Sequence, residues 1–227
     1  MGDYLIMKDQ LKSNNKEDID WEIVPLFPSL FVWWNTVGWE ENKDELIKFV
    51  YDERRKDKKG VEVSNRGGWQ SPATYHRNSI LAEYVLNNLS KYLNENQIFI
   101  EGTKLDLNNL WININKKGNY NVTHMHPLCD LSGVMWLKTP DKCGNITFRD
   151  PTQFQEFILQ KTISKKYKKQ FHYFGDYDFY PKEGRLFLFP SHIAHLVQPN
   201  ESSQDRISIS FNIRIEPPEH CLDPKSK

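Results

Sequence analysis

The segment RISISFNIRI, residues 206–215, decides the fold class because its side chains alternate between two chemical types. One face carries only large apolar groups: Ile207, Ile209, Phe211, Ile213 and Ile215. The opposite face carries Ser208, Ser210, Asn212 and Arg214. A period of two places successive side chains on opposite faces of an extended strand. The segment therefore predicts a β-strand whose apolar face is buried.

Other short segments upstream have the same character, being rich in β-branched and aromatic residues and bounded by turn residues: NLWININ, LSGVMWLK, GNITFRD and GRLFLFP. Short strands without intervening helices predict an antiparallel sandwich or jelly roll, with its core at about residues 105–216. The stretch 160–180 is the least regular part of this half. We expect it to be a lid or a crossover between strands.

The preceding part of the chain predicts helices that support the sheet, over about residues 40–97. Leu46, Phe49 and Val50 have helical spacing, and Ser79 precedes a second amphipathic run that ends near Leu93. The segment SNRGGWQSP between the helices predicts a loop. Residues 23–34 contain two prolines and predict a short edge strand. The polar residues 1–22 predict a flexible lead-in, so residues 23–227 form the single domain.

Composition limits the classes of partner. Lys+Arg and Asp+Glu both number 30, so the chain has no excess of positive charge. Binding to nucleic acid or to an anionic membrane is therefore not favoured by net charge, and we expect a small molecule or peptide as the partner. The longest apolar run, residues 30–34, is far shorter than the roughly 20 residues of a membrane span. The three cysteines form no CxxC pair, which favours a reducing cytoplasm. Aromatic residues in 171–180 predict either a pocket wall or a homodimer contact.

Three histidines form the candidate metal site. His124 and His126, in NYNVTHMHP, share one face if this segment is a strand, and His195 follows the strand GRLFLFP. A sandwich brings such strand ends together at its mouth. Imidazole suits iron, zinc, copper and nickel, so these ligands alone do not select the metal. Arg206 lies eleven residues after His195, with Ser208 on the same strand, and this pair suits a grip on a carboxylate.

Several of these blocks together resemble a known family: SNRGGWQS, LWININ, HMHP followed by LSGVMWL, and FPSHIAHLVQP followed by RISISFN. They are similar to 2-oxoglutarate- and Fe(II)-dependent (2OG-Fe(II)) oxygenases of bacteria and phages, over about residues 25–215. The resemblance implies a double-stranded β-helix, or jelly roll, and a single catalytic domain. It also implies oxidation of a substrate, usually hydroxylation, with release of succinate and CO2. A phage-encoded member would act in the host cytoplasm.

The resemblance also implies roles for individual residues. His124 and His195 take the two histidine positions of the metal site, and Arg206 with Ser208 binds the distal carboxylate of 2-oxoglutarate. Where most of the superfamily has Asp or Glu, this sequence has His126. Asp130 is the alternative third ligand. No catalytic residue is expected beyond the metal centre.

Weaker expectations concern the pocket walls. Asn113 either reaches the cosubstrate or faces solvent. Trp69 and Gln70 either line a substrate channel or, in the case of Trp69, anchor a loop on the core.

Two other functions remain open at this point. A cupin-type metal enzyme would share the fold but would not need the carboxylate grip of Arg206 and Ser208. A non-catalytic jelly-roll binding module would use a structural zinc, for which Cys129 is the candidate fourth ligand.

Overall fold

Eleven strands build the core of the computed structural model, which describes residues 29–151, 161–171 and 174–222. The strands are β1 Val32–Asn35, β2 Asn65–Arg66, β3 Trp69–Gln70, β4 Lys104–Asn115, β5 Tyr120–His124, β6 Leu131–Lys138, β7 Ile146–Arg149, β8 Asp176–Phe179, β9 Arg185–Pro190, β10 His195–Val197 and β11 Arg206–Glu216. The helices are α1 Trp39–Lys56, α2 Ile80–Glu95 and α3 Lys165–Phe171, and a 3-10 turn covers Glu219–Cys221.

The strands form two antiparallel sheets. The larger sheet has the order β1-β9-β6-β11-β4-β3, and the smaller has the order β2-β5-β10-β7-β8. Neighbours in each sheet are distant in the chain, as expected when a jelly roll wraps its strands around one interior. The predicted jelly roll with supporting N-terminal helices is confirmed.

Helices α1 and α2 cover the outer face of the larger sheet. Leu46 and Val50 of α1 are buried there, in one apolar cluster with Leu81 and Val85 of α2 and the apolar face of β11. The predicted start of α2 is correct, since the Ser79 hydroxyl accepts a hydrogen bond of 3.1 Å from the Ala82 N–H. Among the described residues, none of the helices has the length and apolar composition needed to cross a bilayer.

The alternation in β11 has an unusual consequence for the interior. Its isoleucines and Phe211 face the helices, so Ser208, Ser210 and Asn212 face the space between the two sheets. Gly133 of β6 lies opposite Phe211, and a Cβ at this position would overlap the Phe211 ring. The helix-covered face is therefore tightly packed and apolar, while the inner face is polar and available to a ligand.

A second, smaller apolar cluster lies between the sheets. It consists of Val134, Trp136, Ile146, Phe148, Phe187, Phe189 and Ile193. This cluster occupies the β6–β9 side of the interior, and the polar residues of β4 and β11 occupy the other side. The division places a polar pocket beside an apolar wall.

Some elements differ from the sequence-based expectation. The predicted loop 64–72 contains β2 and β3, each two residues long, which exist because they pair with β5 and β4. The edge strand predicted in residues 23–34 is found at the end of that range as β1, at the edge of the larger sheet, while residues 23–28 lie outside the described residues. The irregular stretch 160–180 contains α3 and β8. The expected lead-in, residues 1–22, lies outside the described residues.

Candidate metal site and carboxylate pocket

The three predicted histidines lie together between the sheets. Each offers one ring nitrogen, and these three atoms all lie within 4.8 Å of one another. Strand pairing explains the convergence, because His195 of β10 lies directly opposite His124, the last residue of β5. His126 follows two residues later and keeps the same direction, with its ring centroid 5.0 Å from that of His124.

Hydrogen bonds fix which nitrogen is available in two of the three rings, those of His124 and His195. Nδ1 of His124 lies 2.8 Å from the Val122 carbonyl, and Nδ1 of His195 lies 3.0 Å from the Ile193 carbonyl. A carbonyl oxygen can only accept, so both Nδ1 atoms carry the proton and both Nε2 atoms present a lone pair. Such a contact on the far nitrogen is the usual support of a metal-binding histidine.

Burial keeps the three imidazoles neutral. Burial, with a smaller contribution from the neighbouring histidines, lowers the pKa of His126 to about 4 and that of His195 to about 3. The pKa of His124 is also lowered, chiefly by burial. Neutral imidazole is the form that binds a metal ion.

Aromatic rings hold the histidines from the side. Trp111 of β4 stacks on His126, with ring centroids 5.4 Å apart and an angle of 28° between the planes. Phe189 meets His195 edge to face, with centroids 4.9 Å apart. These contacts restrict ring rotation and exclude water from that side of the cluster.

Arg206 lies in the same pocket as the histidines and is 2% exposed. Its Nη1 donates to the carbonyls of Cys143 and Gln198, the latter at 2.7 Å, which ties two loops to the start of β11. Its Nη2 is buried and has no hydrogen-bond partner among the described residues. Burial lowers the pKa of Arg206 to about 10, so the group is still charged at neutral pH. A buried charge with one unsatisfied donor group is costly unless an anion meets it.

The inner faces of β4 and β11 continue this pocket as a ladder of polar pairs. Asn115 is opposite Arg206, and Asn113 is opposite Ser208. The next pair joins Ser210 to Trp111, the residue that stacks on His126. The ladder therefore leads from the guanidinium to the histidine cluster.

Two amide oxygens in this ladder have no partner. Asn113 donates to Ser210 at 3.2 Å and Asn115 donates to Asn121 at 3.3 Å. The Oδ1 atoms of Asn113 and Asn115 are buried, and neither has a partner in the part of the chain that the structure describes. Unpaired buried polar atoms are rare in native interiors and mark a place where a ligand or water fits. Asn113 lines the pocket and does not face solvent, and its contact with the cosubstrate stays a prediction.

Other predicted residues lie elsewhere. The Asp130 carboxylate accepts a 2.7 Å hydrogen bond from the Ile215 N–H and is not in the histidine cluster. The thiol of Cys129 donates to the His126 carbonyl and is also outside the cluster. Trp69 and Gln70 are buried in β3 and are not among the described residues that line the pocket. Trp69 packs in the helix-covered core, which matches the alternative that it anchors its loop.

Sequence reasoning missed part of the pocket wall, namely Ser64, Trp111, Asn115, Asn121 and Ser210. The signal for three of them was present. The alternation in NLWININ puts Trp111 and Asn115 on the same face as Asn113, and Ser210 shares the face of Ser208. Ser64 and Asn121 reach the pocket only through the pairing of β2 with β5.

Residues 109–212 match a family model described as "Putative 2OG-Fe(II) oxygenase". The matched range contains the three histidines and both residues of the carboxylate grip. This match covers a little under half of the 227 residues and indicates an enzyme, a 2OG-Fe(II) oxygenase whose cofactors are Fe(II) and 2-oxoglutarate. This match favours an oxygenase over the cupin-type enzyme and over the metal-stabilised binding module.

Solved structures of this class share the fold. A prolyl-4-hydroxylase of Pseudomonas putida is 15% identical, with a TM-score of 0.56 over 82% of this chain and 92% of that chain. A viral collagen prolyl hydroxylase of Paramecium Bursaria Chlorella virus-1, solved as a 2OG complex, is 14% identical, with a TM-score of 0.51 over 81% and 94%. HygX of Streptomyces hygroscopicus, solved with nickel and 2-oxoglutarate, is 12% identical, with a TM-score of 0.56 over 82% and 83%. No curated protein matches the chain significantly.

The residues present fit both cofactors. Three neutral imidazoles with converging nitrogens form a donor set that Fe(II) accepts. The unpaired Nη2 of Arg206 suits a carboxylate, which 2-oxoglutarate carries at each end. The cluster differs from the common superfamily pattern in containing no carboxylate, so it contributes no negative charge to the metal.

Proposed function

We propose that His124, His126 and His195 are the Fe(II) ligands of this oxygenase. The observation that supports the assignment is the convergence of three ring nitrogens within 4.8 Å in a pocket that also holds a buried, incompletely paired guanidinium. We further propose that Arg206 and Ser208 bind the distal carboxylate of 2-oxoglutarate. The unpaired Nη2 donates to one carboxylate oxygen, and the Ser208 hydroxyl donates to the other.

The reaction that we propose is hydroxylation of a C–H bond. His124, His126 and His195 would hold Fe(II), which would supply the redox chemistry that couples oxidation of 2-oxoglutarate to succinate and CO2 with transfer of the second oxygen atom of dioxygen to the substrate. The side chains of the pocket have separate tasks in this reaction. Trp111 and Phe189 orient the imidazoles, and Arg206 with the asparagine ladder orients the cosubstrate. Val134, Ile146 and Val197 line the pocket with apolar groups that exclude water.

The substrate class that we propose is a small molecule or a peptide. The net charge of zero gives no general attraction to nucleic acid or to an anionic membrane. We propose a single catalytic domain over residues 23–227. The cysteines Cys129, Cys143 and Cys221 are all free, which supports a cytoplasmic location.

Equilibrium dialysis under argon tests the residue assignment. If one pocket holds both ligands, each must increase the affinity of the other by the same factor. We expect the wild type to bind 2-oxoglutarate more tightly with Fe(II) than without it, and we expect His195→Ala to lose this difference. An affinity for 2-oxoglutarate that is unaffected by Fe(II) in the wild type would contradict the proposal.

A further inference from the structure

A second groove lies outside the iron pocket and combines positive charge with aromatic rings. Its lining is Lys165, Lys168 and Lys169 of α3, together with Phe174 and Tyr177. The three lysines have the spacing i, i+3 and i+4, which places them on one face of the helix. Their ammonium groups therefore gather on the same side as the two rings.

Strand register places this groove beside the histidine cluster. His195 of β10 is opposite Phe148 of β7, and Phe148 is opposite Tyr177 of β8. Directly opposed residues share a face of the sheet, so Tyr177 is on the face that carries His195. Its ring is 4.7 Å from that of Phe179, which packs in the inter-sheet cluster. Two strand spacings separate Tyr177 from His195, or roughly 10 Å.

The positive charge of the groove is not balanced by the neighbouring strand. Asp176 and Asp178 of β8 alternate onto the opposite face from Tyr177. There Asp178 accepts hydrogen bonds from Thr147 and Gln198. Within residues 29–151, 161–171 and 174–222, none of the ion pairs involves the three groove lysines.

We propose that this groove anchors the substrate, and that the substrate is a small molecule carrying a phosphate group next to a planar or apolar part. Lysine binds phosphate as a flexible point charge, and the rings of Phe174 and Tyr177 offer faces to the adjoining part of the molecule. Tyr177, which lines the groove, is roughly 10 Å from His195, so a molecule that extends past this ring reaches the histidine cluster. A polymer is less suitable, because the basic residues of the groove occupy one short helix in a chain of net charge zero. The inference rests on the proposed function, since it assumes that the histidine cluster is the reaction centre.

Phenyl phosphate is the probe, and its dissociation constant is measured by calorimetry on the full chain, without iron. The groove variant is Lys165→Gln/Lys168→Gln/Lys169→Gln. The matched control is Lys48→Gln/Lys58→Gln/Lys59→Gln, which removes the same charge from exposed positions on and just after α1. We expect the wild type and the control to bind equally, and we expect the groove variant to bind roughly tenfold more weakly. Phenol, which lacks the charge, is expected to bind all three proteins weakly.

Two further measurements distinguish the lysine groove from the iron pocket, and a small molecule from a nucleic acid. Arg206→Ala is expected to retain the wild-type affinity for phenyl phosphate, because the probe occupies the lysine groove. The inference is overturned if the groove variant binds the probe as well as the wild type does, or if only Arg206→Ala loses binding. Tighter binding of single-stranded DNA than of phenyl phosphate, lost in the groove variant, would also overturn it in favour of a nucleic acid. Since no arm uses iron, failure of the metal assignment is detected separately by the dialysis experiment.

Discussion

The Nε2 atoms of His126 and His195 lie 3.3 Å apart, although the two residues are 69 positions apart in the chain. Their rings are nearly parallel, with an angle of 6° between the planes. Nε2 of His195 is an acceptor, so this contact is satisfied either by a proton on Nε2 of His126 or by a cation that both nitrogens bind. The distance and the parallel rings support our proposal that a metal ion binds here, with the imidazole of His126 as its third ligand.

Replacement of His126 tests the third ligand. We expect His126→Ala to weaken Fe(II) binding by more than about 100-fold, because loss of a direct ligand costs at least as much as loss of its supporting contacts. His192→Ala is the matched control, since His192 is exposed and lies outside the cluster. Iron affinity measured by competition with a chromogenic chelator checks both variants. Equal affinities for His126→Ala and the wild type would exclude His126 as a ligand.

Removal of the Asn113 side chain tests the polar ladder. Its unpaired Oδ1 and its bond to Ser210 place it beside the proposed carboxylate site. We expect Asn113→Ala to raise the KM for 2-oxoglutarate about tenfold, in line with loss of one hydrogen bond to a charged group. Asn109→Ala is the control, because Asn109 is on the same face of β4 but outside the pocket lining. If the KM for 2-oxoglutarate rose equally in both variants, the effect would be a general one on the sheet and not the loss of a contact with the cosubstrate.

The contact between Tyr51 and Asp205 predicts a dependence of stability on alkaline pH. The Tyr51 hydroxyl donates to the Asp205 carboxylate at 2.9 Å, next to Arg206, and burial together with this contact raises the pKa of Tyr51 to about 12. The unfolded value is about 10, so the stabilisation is complete below pH 10 and is lost as the pH rises through about 12.

Tyr51→Phe removes this contribution. We expect the variant to be about 1 kcal/mol less stable than the wild type at pH 8, with a difference that shrinks between pH 10 and 12. Urea unfolding at several pH values measures both effects. Tyr120→Phe, at a residue that is 38% exposed, is the control and should leave the stability unchanged. A difference for Tyr51→Phe that is constant with pH would contradict the assigned cause.

Much of the fold could be predicted because its signals are local. The alternation in β11 and the hydroxyl cap at Ser79 each act within a few residues, and both predictions were correct. The segment LSGVMWLK coincides with β6. The two-residue strands β2 and β3 have no local signal, because only their partners make them strands. Trp69 shows the same limit, since a tryptophan in a glycine-rich loop can face a channel or the core with equal ease.

The candidate site was partly predictable for the same reason. The spacing of His124 and His126 and the neighbouring Arg206 and Ser208 are sequence patterns with a direct geometric meaning. The position of Asp130 was not predictable, because its carboxylate binds the Ile215 N–H of a strand more than 80 residues away. The lysine groove also depends on long-range pairing, that of β8 with β7.

The most direct test of the central claim is an anaerobic titration of the apoprotein with Fe(II) and then 2-oxoglutarate, followed by the weak visible charge-transfer absorption of the bound cosubstrate. The variants are Arg206→Ala and Arg206→Lys, the second of which keeps the charge but has a single nitrogen, which cannot bind the Cys143 and Gln198 carbonyls and the carboxylate in the geometry of the guanidinium. We expect the wild type to show the band at low concentrations of 2-oxoglutarate. The concentration of 2-oxoglutarate that gives half of the maximal absorption should be higher in Arg206→Lys and highest in Arg206→Ala. The claim that Arg206 binds 2-oxoglutarate beside the iron would be contradicted if the wild type bound iron but showed no band. It would also be contradicted if all three proteins reached half of the maximal absorption at the same concentration of 2-oxoglutarate.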